Sequence, residues 1–215
     1  MLMSLAMLIM PMVDGLAKHL SARYSPLLIG WARYAVASLI VLPAAALFRG
    51  RPLFPAERRA SHAWRTAFLV ASMTLYFLAV ARLPLATATS AFLIAPIAGV
   101  VLSVLVLRER VTPPKTLALA LGTAGSLVIL RPGASMDGSV LLALGSGLVF
   151  AMYIIATRHA SQASDPIRTL AFQCVMGTVL LSPQALRFWR PPEPGDALAF
   201  LGLGGISALS HMMSI

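Results

Sequence analysis

The sequence predicts an all-α, polytopic transmembrane bundle, and three observations predict it. The first is composition: 59% of the residues are hydrophobic and 11% charged, with a mean hydropathy of +0.85. Soluble domains are about a quarter charged. A soluble all-helical chain of this composition would need nearly every helix buried on all sides, which a chain of this size cannot arrange. The second is spacing. Apolar runs alternate with short basic loops, and the longer runs suffice to cross a ~30 Å hydrocarbon layer at ~1.5 Å per residue. The third is an internal repeat, described below.

The totals also exclude other classes. The net charge of +10 is carried by basic residues lying between apolar runs, with no aromatic interleaving and no basic helix face. They read as topology signals and not as a nucleic-acid footprint. The single cysteine, Cys174, rules out a disulfide framework within the chain. His19, His62, His159 and His211 lie in separate segments without metal-ligand spacing. A Gly-rich phosphate loop, a nucleophile elbow and a zinc signature are all missing. The expectation is therefore no cofactor, no metal and no enzyme.

Taken in order, the first span covers residues 2–20 and holds Pro11, which a membrane helix tolerates. Met1 has no basic flank before it, and Asp14 and Lys18 interrupt the run, so a signal peptide is disfavoured. A short cytoplasmic tail is expected ahead of it. The second span is 26–48, followed by a basic loop with Arg49, Arg51, Arg58, Arg59 and Arg65. The third, 66–81, carries Ser72, Thr74 and Tyr76. Spans four (87–107) and five (116–130) form a hairpin about a hinge of Arg108, Glu109, Arg110 and Lys115, in which Glu109 should pair locally with a flanking arginine. Pro113 can begin the fifth helix and lengthen it. Ala118, Gly122 and Ser126 share one face of that helix, the small-residue pattern that lets helices pack closely in lipid. Spans six (138–157), seven (167–188) and eight (196–215) follow, and the last apolar run is still unbroken at Ile215. With the N-terminus inside, the inner loops carry ten basic residues and the outer loops five, which favours that orientation.

Shifting the chain by 140 residues overlays the first two spans on the sixth and seventh without a gap. Leu8 meets Leu148, Met12 meets Met152, His19 meets His159, Pro26 meets Pro166 and Pro43 meets Pro183. With five spans per repeat, the second copy must enter the membrane from the opposite side. Such inverted repeats are typical of secondary transporters. The division expected is 1–133 for the first repeat and 134–215 for an incomplete second one, about eight of ten helices in all.

The hairpin also carries a resemblance. A Thr/Ser-rich helix start, Pro96 in mid-span, an exit of Leu107, Arg108, Glu109 and Arg110, and a Gly-rich span ending in Arg131, Pro132 and Gly133 resemble the EamA-like branch of the drug/metabolite transporter superfamily. Pro113, Pro114 and Lys115 depart from the Gln-containing linker of many relatives. The resemblance implies ten helices in two inverted halves around a central cavity. It also implies secondary transport of a small polar metabolite across the inner membrane by alternating access. Asp14, Gly15 and Lys18, then Ser25 and Pro26, then Trp31, Arg33 and Tyr34 are similar to members described as permeases for amino-acid derivatives or S-adenosylmethionine. The partners implied are a small-molecule substrate and the bilayer, without nucleic acid. Proton coupling or exchange, and a homodimer, are compatible with the reading.

Ionisable groups inside a membrane are costly and mark candidate sites. Asp14 and Lys18 are one turn apart, and Arg33 lies a similar depth into the next helix. An ion pair of purely structural use, with Lys18 snorkelling to the interface, is the competing reading. The repeat places Gln173 opposite Arg33 and Ile154 opposite Asp14, so the charges occur in one half only. That asymmetry favours an anionic group bound near Arg33, such as a carboxylate. Tyr76 and Thr89, with Ser207, Ser210 and His211, could line a polar cavity, or bond their own helices. Trp31 could stack on ligand or anchor at the interface. The substrate-binding set expected is thus Asp14, Lys18, Trp31, Arg33, Tyr76, Thr89, Gln173 and His211. Two other classes stay open, a lipid-translocating protein of the same fold and a non-transporting membrane protein.

Overall fold

A computed structural model describes residues 2–50, 52–55, 58–108, 111–130, 138–160 and 165–213. Among them the chain is helical: α1 (Leu2–Leu20), α2 (Pro26–Arg49), α3 (Arg59–Arg82), α4 (Leu85–Phe92), α5 (Ile94–Leu107), α6 (Pro113–Leu130), α7 (Gly138–Ala160), α8 (Pro166–Arg187) and α9 (Pro194–Met213). Six stretches are long and apolar enough to cross a membrane: α2, α3, residues 85–106, α7, α8 and α9. Their outward faces are apolar, with Leu39, Leu47, Leu105, Leu141 and Leu198 largely exposed. Arg33, Arg65, Gln173 and several serines are buried. That distribution is the reverse of a soluble bundle and suits hydrocarbon, where interior polar groups must find partners within the protein.

Two compact units can be distinguished, Met1–Ala67 with Ala160–Ile215, and Phe68–His159. In the first, α1 packs on α9, and α2 packs on both α8 and α9. α2 and α8 are repeat mates. Each starts with proline and a polar residue just ahead of it: Ser25 accepts from the Leu27 N–H, and Asp165 from the N–H groups of Ile167 and Arg168. These caps satisfy donors that the first helical turn leaves open. Contacts descend α8 as they climb α2, from Trp31–Ser182 through Ser38–Thr178 to Arg49–Asp165, so the two helices run antiparallel. Ser38 and Thr178, 3.4 Å apart, are themselves equivalent positions of the repeat. The crossing is close because position 177 is glycine. A Cβ there would stand 2.8 Å from the Tyr34 ring.

In the second unit α4 and α5 pack on α6. α3 is tied to α7 by the Ser72 hydroxyl, which donates to the Ser146 carbonyl at 2.8 Å. α7 and α3 are the repeat mates of α1 and α9, so the same pairing occurs once in each unit.

The fourth span differs from the expected single helix. It breaks at Leu93 into α4 and α5. Pro96 has no N–H to give the Phe92 carbonyl four residues back, and its ring crowds that oxygen. The break rests on Gly147 of α7, where a Cβ would lie 2.7 Å from the Phe92 oxygen and 2.6 Å from Ile94 Cγ2. Gly147→Ala should therefore cost about 1–3 kcal/mol and lower the melting temperature by roughly 2–10 °C. A thermal shift in detergent checks it, and an unchanged midpoint would show that the break does not depend on this contact.

The third helix also begins earlier than expected. Arg59 and Arg65, read as loop residues, belong to α3. The pairing expected at Glu109, and the Arg131, Pro132 and Gly133 exit, lie outside the described residues.

Candidate functional site

The first unit carries polar side chains along its interior. Arg33 sits seven residues into α2, about 10 Å from its start at ~1.5 Å per residue. It is 7% exposed, and its Nε donates to Ser207 Oγ of α9 at 2.7 Å. One turn further along α9, His211 Nδ1 lies 2.9 Å from the Ser207 carbonyl. A carbonyl only accepts, so Nδ1 carries the proton. Ser207 thus joins Arg33 to His211, its hydroxyl serving one and its carbonyl the other.

A second buried guanidinium stands in the same unit. Arg65 of α3, 6% exposed, donates through Nη2 to Gln173 Oε1 of α8. Gln173 is the repeat mate of Arg33, so each half places a polar bond from this position to the next helix of the other half. In one the guanidinium is on the mate itself. In the other it is on the partner helix. Arg33 and Arg65 both lie within electrostatic reach of His211, and Arg33 within reach of Cys174 beside Gln173. An apolar sheath of Ala37, Val41, Leu170, Ala171 and Ala208 is packed between these helices.

Arg65 is the residue that sequence reasoning missed. Its signal was helical spacing: His62, Arg65, Thr66 and Leu69 fall at i, i+3, i+4 and i+7 and are all buried, whereas Trp64 between them is exposed.

The unit is pinned at both ends. At one, Arg23 pairs with Glu193 at 3.0 Å and with Asp196 at 3.4 Å, and Tyr24 donates to Asp196 at 3.0 Å. The Glu193 N–H donates to the Tyr24 hydroxyl at 2.9 Å, and Arg190 donates to the Arg23 carbonyl at 3.1 Å. This network closes the α1–α2 turn onto the α8–α9 loop. At the other end Arg49 pairs with Asp165 at 3.0 Å.

The remaining expected residues fall as follows. Asp14 and Lys18 are half-buried on α1, each engaged in a polar or electrostatic interaction. Trp31 donates to Ser182 at 3.1 Å and meets Trp189 edge-on at 5.8 Å, lining an apolar recess of about 340 Å³ with Ala185 and Leu186. In the second unit the Tyr76 and Thr89 hydroxyls come together at 3.0 Å. Tyr76, Phe92, Phe150 and Tyr153 form a chain of rings, each 5.2–5.3 Å from the next.

The model of the EamA-like transporter family matches residues 1–131 and 138–214. The chain belongs to that family. It is 23% identical over 197 residues to an S-adenosylmethionine uptake transporter of Rickettsia conorii, covering 91% of this chain and 67% of that one. It is 24% identical over 204 residues to a riboflavin transporter of Vibrio cholerae, covering 93% and 68%. An uncharacterized transporter of Archaeoglobus fulgidus is 31% identical over 129 residues, covering 60% and 46%. The chain thus spans about two thirds of the length of the S-adenosylmethionine relatives it matches. A solved crystal structure superposes with a TM-score of 0.71 at 21% identity, over 98% of this chain and 78% of that one. That likeness shows the fold.

Proposed function

We propose that this EamA-like protein moves a small polar metabolite with a free carboxylate, an amino-acid derivative of the S-adenosylmethionine type, across the inner membrane by alternating access. The observation that carries the reading is the buried Arg33–Ser207 bond beside the Arg65–Gln173 bond. Two guanidinium groups placed among apolar helices are expensive. A carboxylate held in two-pronged geometry by a guanidinium is the substrate group that best matches them. Ser207 accepts from Nε of Arg33 and fixes the orientation of the guanidinium that meets the carboxylate. His211, linked to Arg33 through Ser207, is the group through which proton coupling would run. The names of the Rickettsia relatives support the substrate class. Even with Arg59 and Arg65 moved from loop to α3, eight of the ten inner basic residues remain against five outer ones, which supports a cytoplasmic N-terminus.

The test is uptake into proteoliposomes. Labelled S-adenosylmethionine should accumulate saturably above protein-free vesicles, and methionine, which keeps the carboxylate, should compete. Riboflavin uptake without S-adenosylmethionine uptake would overturn the substrate class. Uptake of neither would overturn the transport reading.

A further inference from the structure

The second unit holds a cavity of about 410 Å³ between α5, α6 and α7, unconnected with the reading above. Its volume lies within the range of small-ligand pockets, roughly 300–1,000 Å³. Val100, Ala118, Leu119 and Ile154 make its walls apolar. The one hydroxyl among its described lining residues, that of Ser103, donates to the Val100 carbonyl at 3.1 Å. Among the described residues two charged side chains line it, and both are cations: Lys115 in the first turn of α6 and Arg158 near the end of α7. Both are exposed. α6 is exposed along most of its length, so the cavity adjoins a face that meets lipid.

Apolar walls, a doubly cationic edge and an adjoining lipid-facing helix select one chemistry. We infer that this cavity is a binding site for an anionic phospholipid, with an acyl chain along α5 and α7 and the phosphate shared by Lys115 and Arg158. Basic pockets between membrane helices take anionic headgroups in this way. A soluble anion would gain nothing from the walls, and a zwitterionic lipid would bring its own cation against the two bases. The lipid is a resident and not the cargo.

The experiment is native mass spectrometry of the full chain after equilibration with dioleoyl-phosphatidylglycerol and dioleoyl-phosphatidylcholine, which share their acyl chains. Phosphatidylglycerol should be retained over phosphatidylcholine by about 10- to 30-fold, the effect of two basic residues at an anionic headgroup. Lys115→Ala with Arg158→Ala should bring the ratio near parity. Lys115→Arg with Arg158→Lys should keep it and serves as the folding control. Ala118→Trp, filling the cavity from α6, should displace the lipid while both bases remain. Parity in the native chain, or a preference that survives loss of both bases, would overturn the site. So would displacement of the lipid by excess inorganic phosphate, which would mark a soluble-anion site. A change of oligomeric state in Ala118→Trp without a change in lipid would overturn it in favour of a second copy of the chain.

Discussion

Arg33→Gln should lower S-adenosylmethionine uptake by about 10- to 100-fold, the loss of one or two charge-assisted hydrogen bonds at roughly 1.5–3 kcal/mol. The fold itself should survive. Glutamine is the residue the repeat places at the equivalent position 173, where it is 3% exposed and hydrogen-bonded. Arg33→Gln also removes the cost of burying a charge. Arg33→Lys should not rescue, because a single ammonium cannot form the planar fork that meets both carboxylate oxygens. The decisive readout is discrimination. The native protein should reject a carboxyl-blocked ester of the substrate, and Arg33→Gln should transport acid and ester alike. If Arg33→Gln leaves both affinity and discrimination unchanged, Arg33 is a packing residue and the carboxylate assignment fails.

Gly204→Ala should be the most damaging of the small substitutions. A Cβ at 204 would lie 2.4 Å from Val36 Cβ, 2.7 Å from Val36 Cγ1 and 3.1 Å from the Arg33 carbonyl. The nearest of these atoms is fixed to the α2 main chain, so no side-chain rotation relieves the contact and α9 must back away. Overpacking of this kind costs about 1–3 kcal/mol. Ser207 stands one turn along α9 on the same face. A retreat of about 1 Å by α9 would stretch its 2.7 Å bond with Arg33 past hydrogen-bonding range. Stability and uptake should therefore fall together. The control is Gly205→Ala, where the new Cβ would meet only Ile40 Cδ1, at 3.8 Å. Adding Val36→Gly to Gly204→Ala removes both Val36 contacts. It should restore part of the uptake despite the ~1 kcal/mol that glycine costs in a helix. Equal behaviour of Gly204→Ala and Gly205→Ala would refute the argument.

Much of the fold was legible because membrane helices write themselves as apolar runs. The repeat was legible because Pro26 and Pro166, and Pro43 and Pro183, fall at the same offset. The starts of α2 and α8 coincide with those prolines, since proline suits the first turn of a helix and the polar residue before it caps that turn. The break in the fourth span was harder to see. Pro96 is visible, but a single proline in a membrane helix can bend it or split it. Which occurs depends on whether a neighbour lets the freed carbonyl approach, and here Gly147 does.

The candidate site shows the same division. Arg33 and Gln173 could be singled out because polar residues inside apolar runs are rare and costly. Ser207 could be noticed but not paired, since one turn of α9 says nothing about which face α2 meets. Arg65 was hidden by its neighbours, because a run of arginines before an apolar segment reads as a loop until helical spacing places it beside His62 and Leu69. By itself the sequence determined the membrane class and the order of apolar helices, because hydropathy and helix-end chemistry are local and act within one or two turns. Only the tertiary structure decided that Arg33 bonds Ser207 and Arg65 bonds Gln173. The first depends on how closely α2 and α9 cross, and the absent side chain of Gly204 sets that distance; the second depends on which face α3 turns to α8.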